Sequence, residues 1–246
     1  MLRRAFGRLA AHRLDPEVDR LVVEALSAAA PGPCQLLLHA GQDAGLDRSD
    51  AIDRASACFL AFSAFNLSDD LSDGDCTYLP PAQGQAVVLI LNSLFVASLR
   101  DLQLRSDVEA QVLGDLLAAE EAQVLELSSA SWDAARLRIV TDGIAGRQWA
   151  AYLRVMWAGT PMEHLSTEVA VSIGRVGLLA GDISTDDPRF STLPPLDRRS
   201  VLEEALTRVR ALESVGARVA QSVVADCEPI IAGKLAEDSE AGADAR

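Results

Sequence analysis

The feature that most constrains this chain is its period. Apolar residues recur at three- and four-residue spacing along nearly its whole length, and two-residue alternation is scarce. Alanine, leucine, arginine and glutamate, all good helix formers, supply most of that pattern. Such helices must bury an apolar stripe against one another, so the pattern predicts an all-α fold, a single helical bundle. The spacing predicts helices over 16–30, 35–44, 50–72, 85–104, 107–128, 133–159, 163–183, 197–216 and 217–235. Asp15 is the expected N-cap of the first, with Pro16 at its first position. The run 85–104 is apolar on nearly every side, which predicts a central buried helix. Pro31-Gly-Pro33 breaks the chain, and the stretches 74–84 and 190–195 are expected loops. At 246 residues the chain suits one domain, here 1–235. The acidic end, 236–246, has too few apolar residues to build a core and is expected to be disordered.

Charge and cysteine usage narrow the function classes. A formal net charge of −14 argues against nucleic acid and against anionic membrane surfaces as partners. It leaves room for an anionic ligand where metal ions reverse the local sign. Cys34, Cys58, Cys76 and Cys227 form no C-x-x-C pair, so a reduced, cytoplasmic chain is expected. The basic opening Met1-Leu-Arg-Arg-Ala-Phe has no apolar segment after it, so no signal peptide is expected. No integral membrane segment is expected either, since no apolar run is read as reaching ~18 uncharged residues. His12, His39 and His164 are scattered and suggest no catalytic pairing, and the glycines form no phosphate loop. Trp149 and Trp157 are expected core residues that could also offer ring faces to a cation.

Two stretches carry chemistry. The apolar run 55–67 leads straight into Asp69-Asp70-x-x-Asp73, with Gly74 as the helix stop. Asp69 and Asp73 are four apart and share a helix face, with Asp70 beside them. Near a helix C-terminus the macrodipole disfavours this negative charge. A hard divalent cation such as Mg²⁺ reverses that cost, because it prefers oxygen ligands and bridges carboxylates to phosphates. Further on, the apolar run 169–181 ends in Asp182-Ile-Ser-Thr-Asp186-Asp187-Pro188, again with carboxylates four apart. Facing one another, two such helices would form an acidic mouth over an apolar pocket.

In this arrangement the sequence resembles the class I isoprenoid synthases, the polyprenyl diphosphate synthases and their terpene-synthase relatives. The resemblance runs roughly over 36–195. Its most specific part is the order Asp69-Asp70-x-x-Asp73, Gln123-x-x-Glu126, Asp182-x-x-x-Asp186. It implies an all-α isoprenoid synthase fold, a prenyl diphosphate substrate, and Mg²⁺ held by Asp69, Asp70, Asp73, Asp182 and Asp186. It also implies assembly as a homodimer, or as one subunit of a heteromeric synthase. Gln123, Glu126, Arg147 and Arg189 would then contact substrate. Arg147-Gln148 falls near the family's Lys-Thr, which makes Arg147 the best-placed catalytic cation. Bulk before the first motif limits chain length in the related prenyl synthases. Phe65 and Phe62 therefore become candidate pocket floor, favouring a ten- or fifteen-carbon substrate.

Departures from the family shape the functional expectation. The stretch 32–38, Gly-Pro-Cys-Gln-Leu-Leu-Leu, lacks the basic residues that elongating synthases use for isopentenyl diphosphate. Cys76-Thr-Tyr-Leu-Pro-Pro81 replaces the family's Arg-Arg-Gly, and Ile183 occupies the second Asp position of the second motif. Phosphate recognition depends on charge-assisted donors, so a second diphosphate is hard to hold here. The expected activity is that of a terpene synthase, which ionises one allylic diphosphate with Mg²⁺ as Lewis acid. A prenyltransferase using isopentenyl diphosphate and a non-catalytic regulatory subunit are the alternatives. Arg54, Arg147, Arg154, Arg175 and Arg189 are the candidate cations for the diphosphate.

Overall fold

A computed structural model describes residues 3–5, 7, 15–29 and 33–244, with side chains as far as Glu240. His12 and the break at 31–32 lie outside the described residues. Every regular element among the described residues is a helix, as the period requires. The chain forms two compact units, Met1–Ala110 with Val155–Pro161, and Gln111–Arg154 with Met162–Arg246.

The first unit contains α1 (Pro16–Ala29), α2 (Cys34–Asp43), α3 (Arg48–Asp73) and α4 (Pro81–Asp101). Helix α3 is its axis. Asp47 caps the start, accepting from the N–H groups of Ser49 at 2.8 Å and Asp50 at 2.9 Å. From Ala55 to Ala61 every residue of α3 is buried, so this helix faces protein on all sides. Its alanines, serines and Cys58 keep its surface narrow enough for close neighbours. A Cβ at Gly41 of α2 would lie 2.8 Å from that of Ala51, which explains the glycine. Ser56 and Ser63 donate to the carbonyls of Ile52 and Phe59 at 2.6 and 2.8 Å, so burial leaves neither hydroxyl without a partner.

The C-terminal end of α7 (Arg147–Trp157) belongs to this unit. Arg54 donates through Nη1 to the carbonyls of Val155, Met156 and Ala158 at 3.0, 3.2 and 2.8 Å. These are the orphan acceptors of a helix end, where a cation is also favoured by the dipole. Trp157 is fully buried and its indole N–H donates to the Ala40 carbonyl at 2.9 Å. It is a core anchor.

Helix α4 corrects three expectations. It begins at Pro81 rather than at 85, because proline suits the first helical position and needs no N–H donor there. Its exposure is one-sided: Val87, Leu91, Leu94, Phe95 and Leu99 are buried, while Leu89 is 68 % and Val96 49 % exposed. The central helix is therefore α3. Pro81–Asp101 is also long and apolar enough to cross a membrane by length and composition, so the expectation that no run reaches that length does not hold. Gln83, Gln85, Asn92 and Ser93 conceal the run in the sequence, and its buried stripe serves as core here.

The second unit holds α5 (Ser106–Leu127) from Gln111 on, α6 (Ala134–Thr141), a π-helical turn Asp142–Gly146, and α7 to Arg154. After a 3₁₀ turn (Glu163–Leu165) come α8 (Ser166–Thr185), α9 (Pro188–Ser191), α10 (Pro195–Val215) and α11 (Arg218–Asp244). The π turn splits the helix predicted over 133–159. Close packing accompanies it on both sides. A Cβ on Gly143 would lie 2.3 Å from that of Ala122, and one on Gly174 would lie 2.4 Å from backbone atoms of Ala145 and Gly146. Arg175 sits beside the turn, 7 % exposed, paired with Asp142 and with Glu204 of α10. Helix α11 continues over most of the acidic end, where Asp238 accepts from Arg198 Nε at 3.0 Å.

Candidate functional site

The first acidic group closes α3. Phe62, Asn66, Asp69 and Asp73 fall at spacings of four, three and four, which makes one stripe along the helix. Gly74 adopts φ +81°, and the chain turns back so that Asp75 and Cys76 donate to the Asp70 carbonyl at 2.8 and 2.9 Å. The Asp70 side chain is held from two sides. Its Oδ2 accepts from Asn66 Nδ2 at 3.1 Å and from the Tyr78 hydroxyl at 2.6 Å. Burial, and then the bond to Asp70, raise the Tyr78 pKa, so the phenol remains a donor. Asp69 and Asp73 are exposed at the helix end. Sequence reasoning missed Tyr78, since 76–81 registered only as the loss of basic residues. Its signal was a tyrosine one short turn beyond the glycine stop.

Phe65 is 6 % exposed and Phe62 is half-buried. A groove of about 450 Å³ lies beside the same end of α3, lined by Ser68, Leu71, Ser72, Gln85, Val88 and Leu89. It opens on a different face of α3 from the stripe that carries Asp69.

The second acidic group differs from its expected form. Asp182 lies within α8 and is buried, 2 % exposed. Asp186 lies beyond the helix end in the left-handed region, φ +55°, and is exposed. The two carboxylates therefore do not share a helix face. Asp187 caps α9, accepting the Arg189 N–H at 2.8 Å. The Arg189 guanidinium stands among three carboxylates: it donates to Asp182 Oδ1 at 2.8 Å, to Asp187 at 3.1 and 3.3 Å, and to Glu126. Asp182 Oδ2 is buried without a hydrogen-bond partner. Burial raises the Asp182 pKa to about 7, with Asp187 and Glu126 adding to the shift and Arg189 opposing it. One guanidinium shared by three carboxylates only partly offsets the lost hydration.

The other candidate cations are also engaged. Arg147 pairs with Asp115 at 3.0 Å and keeps its side chain 45 % exposed. Asp115, 5 % exposed, also holds Arg154 at 2.7 Å, and Arg154 reaches Gln111 and Thr167. Arg54 caps α7, and Arg175 is tied to the π turn. Gln123 is buried, and Glu126 serves Arg189. Trp149 meets Tyr152 edge to face at 5.8 Å between centroids, a packing contact.

No protein-family model matches the sequence, and no curated protein does. Solved structures do. A geranyltranstransferase from Thermotoga maritima aligns with TM-score 0.70 over 94 % of this chain and 97 % of its own, at 12 % identity. A geranyltransferase from Legionella pneumophila aligns with TM-score 0.66 over 92 % of this chain and 91 % of its own, at 17 % identity. This is the isoprenoid synthase fold. At such identities the likeness is one of fold.

The isoprenoid synthase resemblance implies Mg²⁺, and the two acidic groups of the chain differ in how they fit it. The end of α3 offers oxygen ligands only, at a helix C-terminus where positive charge is favoured. By ligand type alone, that donor set matches the oxygen preference of Mg²⁺. The end of α8 does not suit a metal, because a guanidinium already occupies the centre of its carboxylates. Among the described residues no group of three or more His, Cys, Asp or Glu is arranged to hold a metal ion.

Proposed function

We propose that the protein is a prenyltransferase that takes an allylic prenyl diphosphate at the end of α3, through Asp69, Asp70 and Asp73 with Mg²⁺. The observation that carries this reading is the built position of Asp70, fixed by Asn66 and Tyr78 at an open, glycine-terminated helix end. A solvated acidic loop needs no such support. Both named structural neighbours are prenyl-transferring enzymes by their names, which favours transfer over the cyclisation expected from the sequence. When bound, Mg²⁺ supplies the positive charge that lets this acidic end accept a diphosphate. Asn66 and Tyr78 then keep Asp70 oriented. Phe62, on the same stripe, and Phe65, beside it, would shape the prenyl end of the site.

Assembly as a homodimer belongs to the same proposal. Leu113, Leu117, Val124 and Leu127 form an exposed stripe on α5, each between 41 and 66 % exposed. Such a stripe suits a partner helix.

A second reading, a subunit that binds prenyl diphosphate without turning it over, is favoured by one observation. All five candidate arginines make internal bonds, which leaves little cationic capacity for a second diphosphate. The test is calorimetry of farnesyl diphosphate binding, with and without Mg²⁺, on the wild type and on Asp70→Asn. We expect Mg²⁺-dependent binding that the substitution weakens at least about tenfold. Equal binding by both proteins rejects the assignment.

A further inference from the structure

We infer that Arg189 is a built-in cation that takes the place of a metal ion at the end of α8, so that this acidic group is closed to divalent metal. The inference concerns the chain's own cation and does not rest on which reaction the protein performs.

The placement of Arg189 is fixed by the backbone rather than by chance contact. Helix α8 ends at Thr185, Asp186 makes the left-handed turn, and Asp187 caps the next helix with Pro188 at its first position. Arg189 follows at once. Its backbone N–H and its Nε both donate to Asp187 Oδ1, at 2.8 and 3.1 Å, which aims the guanidinium back toward α8. There Nη2 meets Asp182 Oδ1 at 2.8 Å, and Nη1 meets Glu126, which lies 63 residues earlier on α5. The pairs are sheltered: exposure is 19 % for Arg189, 17 % for Glu126 and 2 % for Asp182. A planar fork that reaches three carboxylates engages the oxygens that a divalent ion would need as ligands.

A second observation shows that this group is built for more positive charge than one arginine brings. Three carboxylates surround a single guanidinium, and Asp182 Oδ2 stays buried with no partner. A buried carboxylate oxygen without a donor is costly, and a doubly charged ion would satisfy it. The side chain of Arg189 thus prevents what the carboxylates around it would otherwise favour.

The test is the number of Mn²⁺ ions bound per full-length chain, read from the free Mn²⁺ resonance. The proteins are the wild type, Asp182→Asn, Arg189→Ala, Arg189→Lys and the double variant Arg189→Ala/Asp182→Asn. We expect the wild type and Asp182→Asn to bind the same number. Arg189→Ala should gain one ion, which the double variant loses and Arg189→Lys does not acquire. Loss of an ion in Asp182→Asn alone overturns the inference, because it places metal on Asp182 in the presence of Arg189. A folded Arg189→Ala that gains nothing overturns it as well. Should Arg189→Ala fail to fold, the comparison of wild type with Asp182→Asn still decides, equal counts supporting the inference and a lost ion ending it.

Discussion

Gly174 offers a sharp check on the packing of α8 against the π turn. An alanine there improves helix propensity by about 1 kcal/mol. Its Cβ, however, would lie 2.4 Å from the Ala145 carbonyl carbon and the Gly146 nitrogen, and 2.5 Å from the Ala145 oxygen. These are backbone atoms of a turn fixed by Gly143 and by Arg175, so they cannot swing aside as a side-chain end would. Overpacking costs up to about 3 kcal/mol, and the upper end applies here, which leaves a net loss of about 2 kcal/mol. For a chain of this size that lowers Tm by roughly 4–8 °C. Gly177 and Gly181 are controls on the same helix, because a Cβ at either meets nothing within 4 Å. Their alanine variants should gain up to about 1 kcal/mol, or roughly 2–4 °C. Thermal unfolding by circular dichroism measures all three. If Gly174→Ala melts with the controls or above them, the close approach of α8 to the π turn is wrong.

Four further outcomes are expected. Arg54→Ala should cost about 2 kcal/mol, since it strips a charged donor from three carbonyls at the end of α7, and urea unfolding will show it. Tyr78→Phe should weaken Mg²⁺-dependent diphosphate binding while changing stability by less than about 1.5 kcal/mol, a split that calorimetry and unfolding resolve together. Phe65→Ala should shift the preferred prenyl length if the ring is pocket floor; a loss of ~3–5 kcal/mol with no such shift would make it core alone. Asp182 has a folded pKa of about 7 against an ordinary value near 4, so its contribution to stability is present at low pH and lost as pH rises through 7. Relative to Asp182→Asn, the wild type should therefore lose stability between pH 5 and pH 8, and a constant difference in Tm over that range contradicts the raised pKa.

The end of α3 was legible because its signals are local. An apolar run, three carboxylates within five residues and a glycine stop fall in one stretch, and the glycine has the φ the stop requires. The same locality misled the reading of Asp182 and Asp186. Spacing four apart puts two residues on one face only while the helix continues, and here it ends at Thr185. Arg189 was legible as a cation but its role was not, because Glu126 comes from 63 residues away. The π turn was hidden for a similar reason: Gly143 and Gly174 fit a helical period, and what makes them necessary is Ala122 for the first and the backbone of Ala145 and Gly146 for the second. Helix α4 looked central because its composition is apolar all round, whereas its neighbours cover one side.

The central claim is that this chain uses the end of α3 to join prenyl units. The direct measurement is product analysis by mass spectrometry. Purified protein is incubated with Mg²⁺ and geranyl or farnesyl diphosphate, with and without isopentenyl diphosphate, beside Asp70→Asn. The account predicts a lengthened prenyl diphosphate only when both substrates and Mg²⁺ are present, and its loss in Asp70→Asn. A terpene hydrocarbon or alcohol formed from the allylic diphosphate alone, or no product despite Mg²⁺-dependent binding, would contradict it.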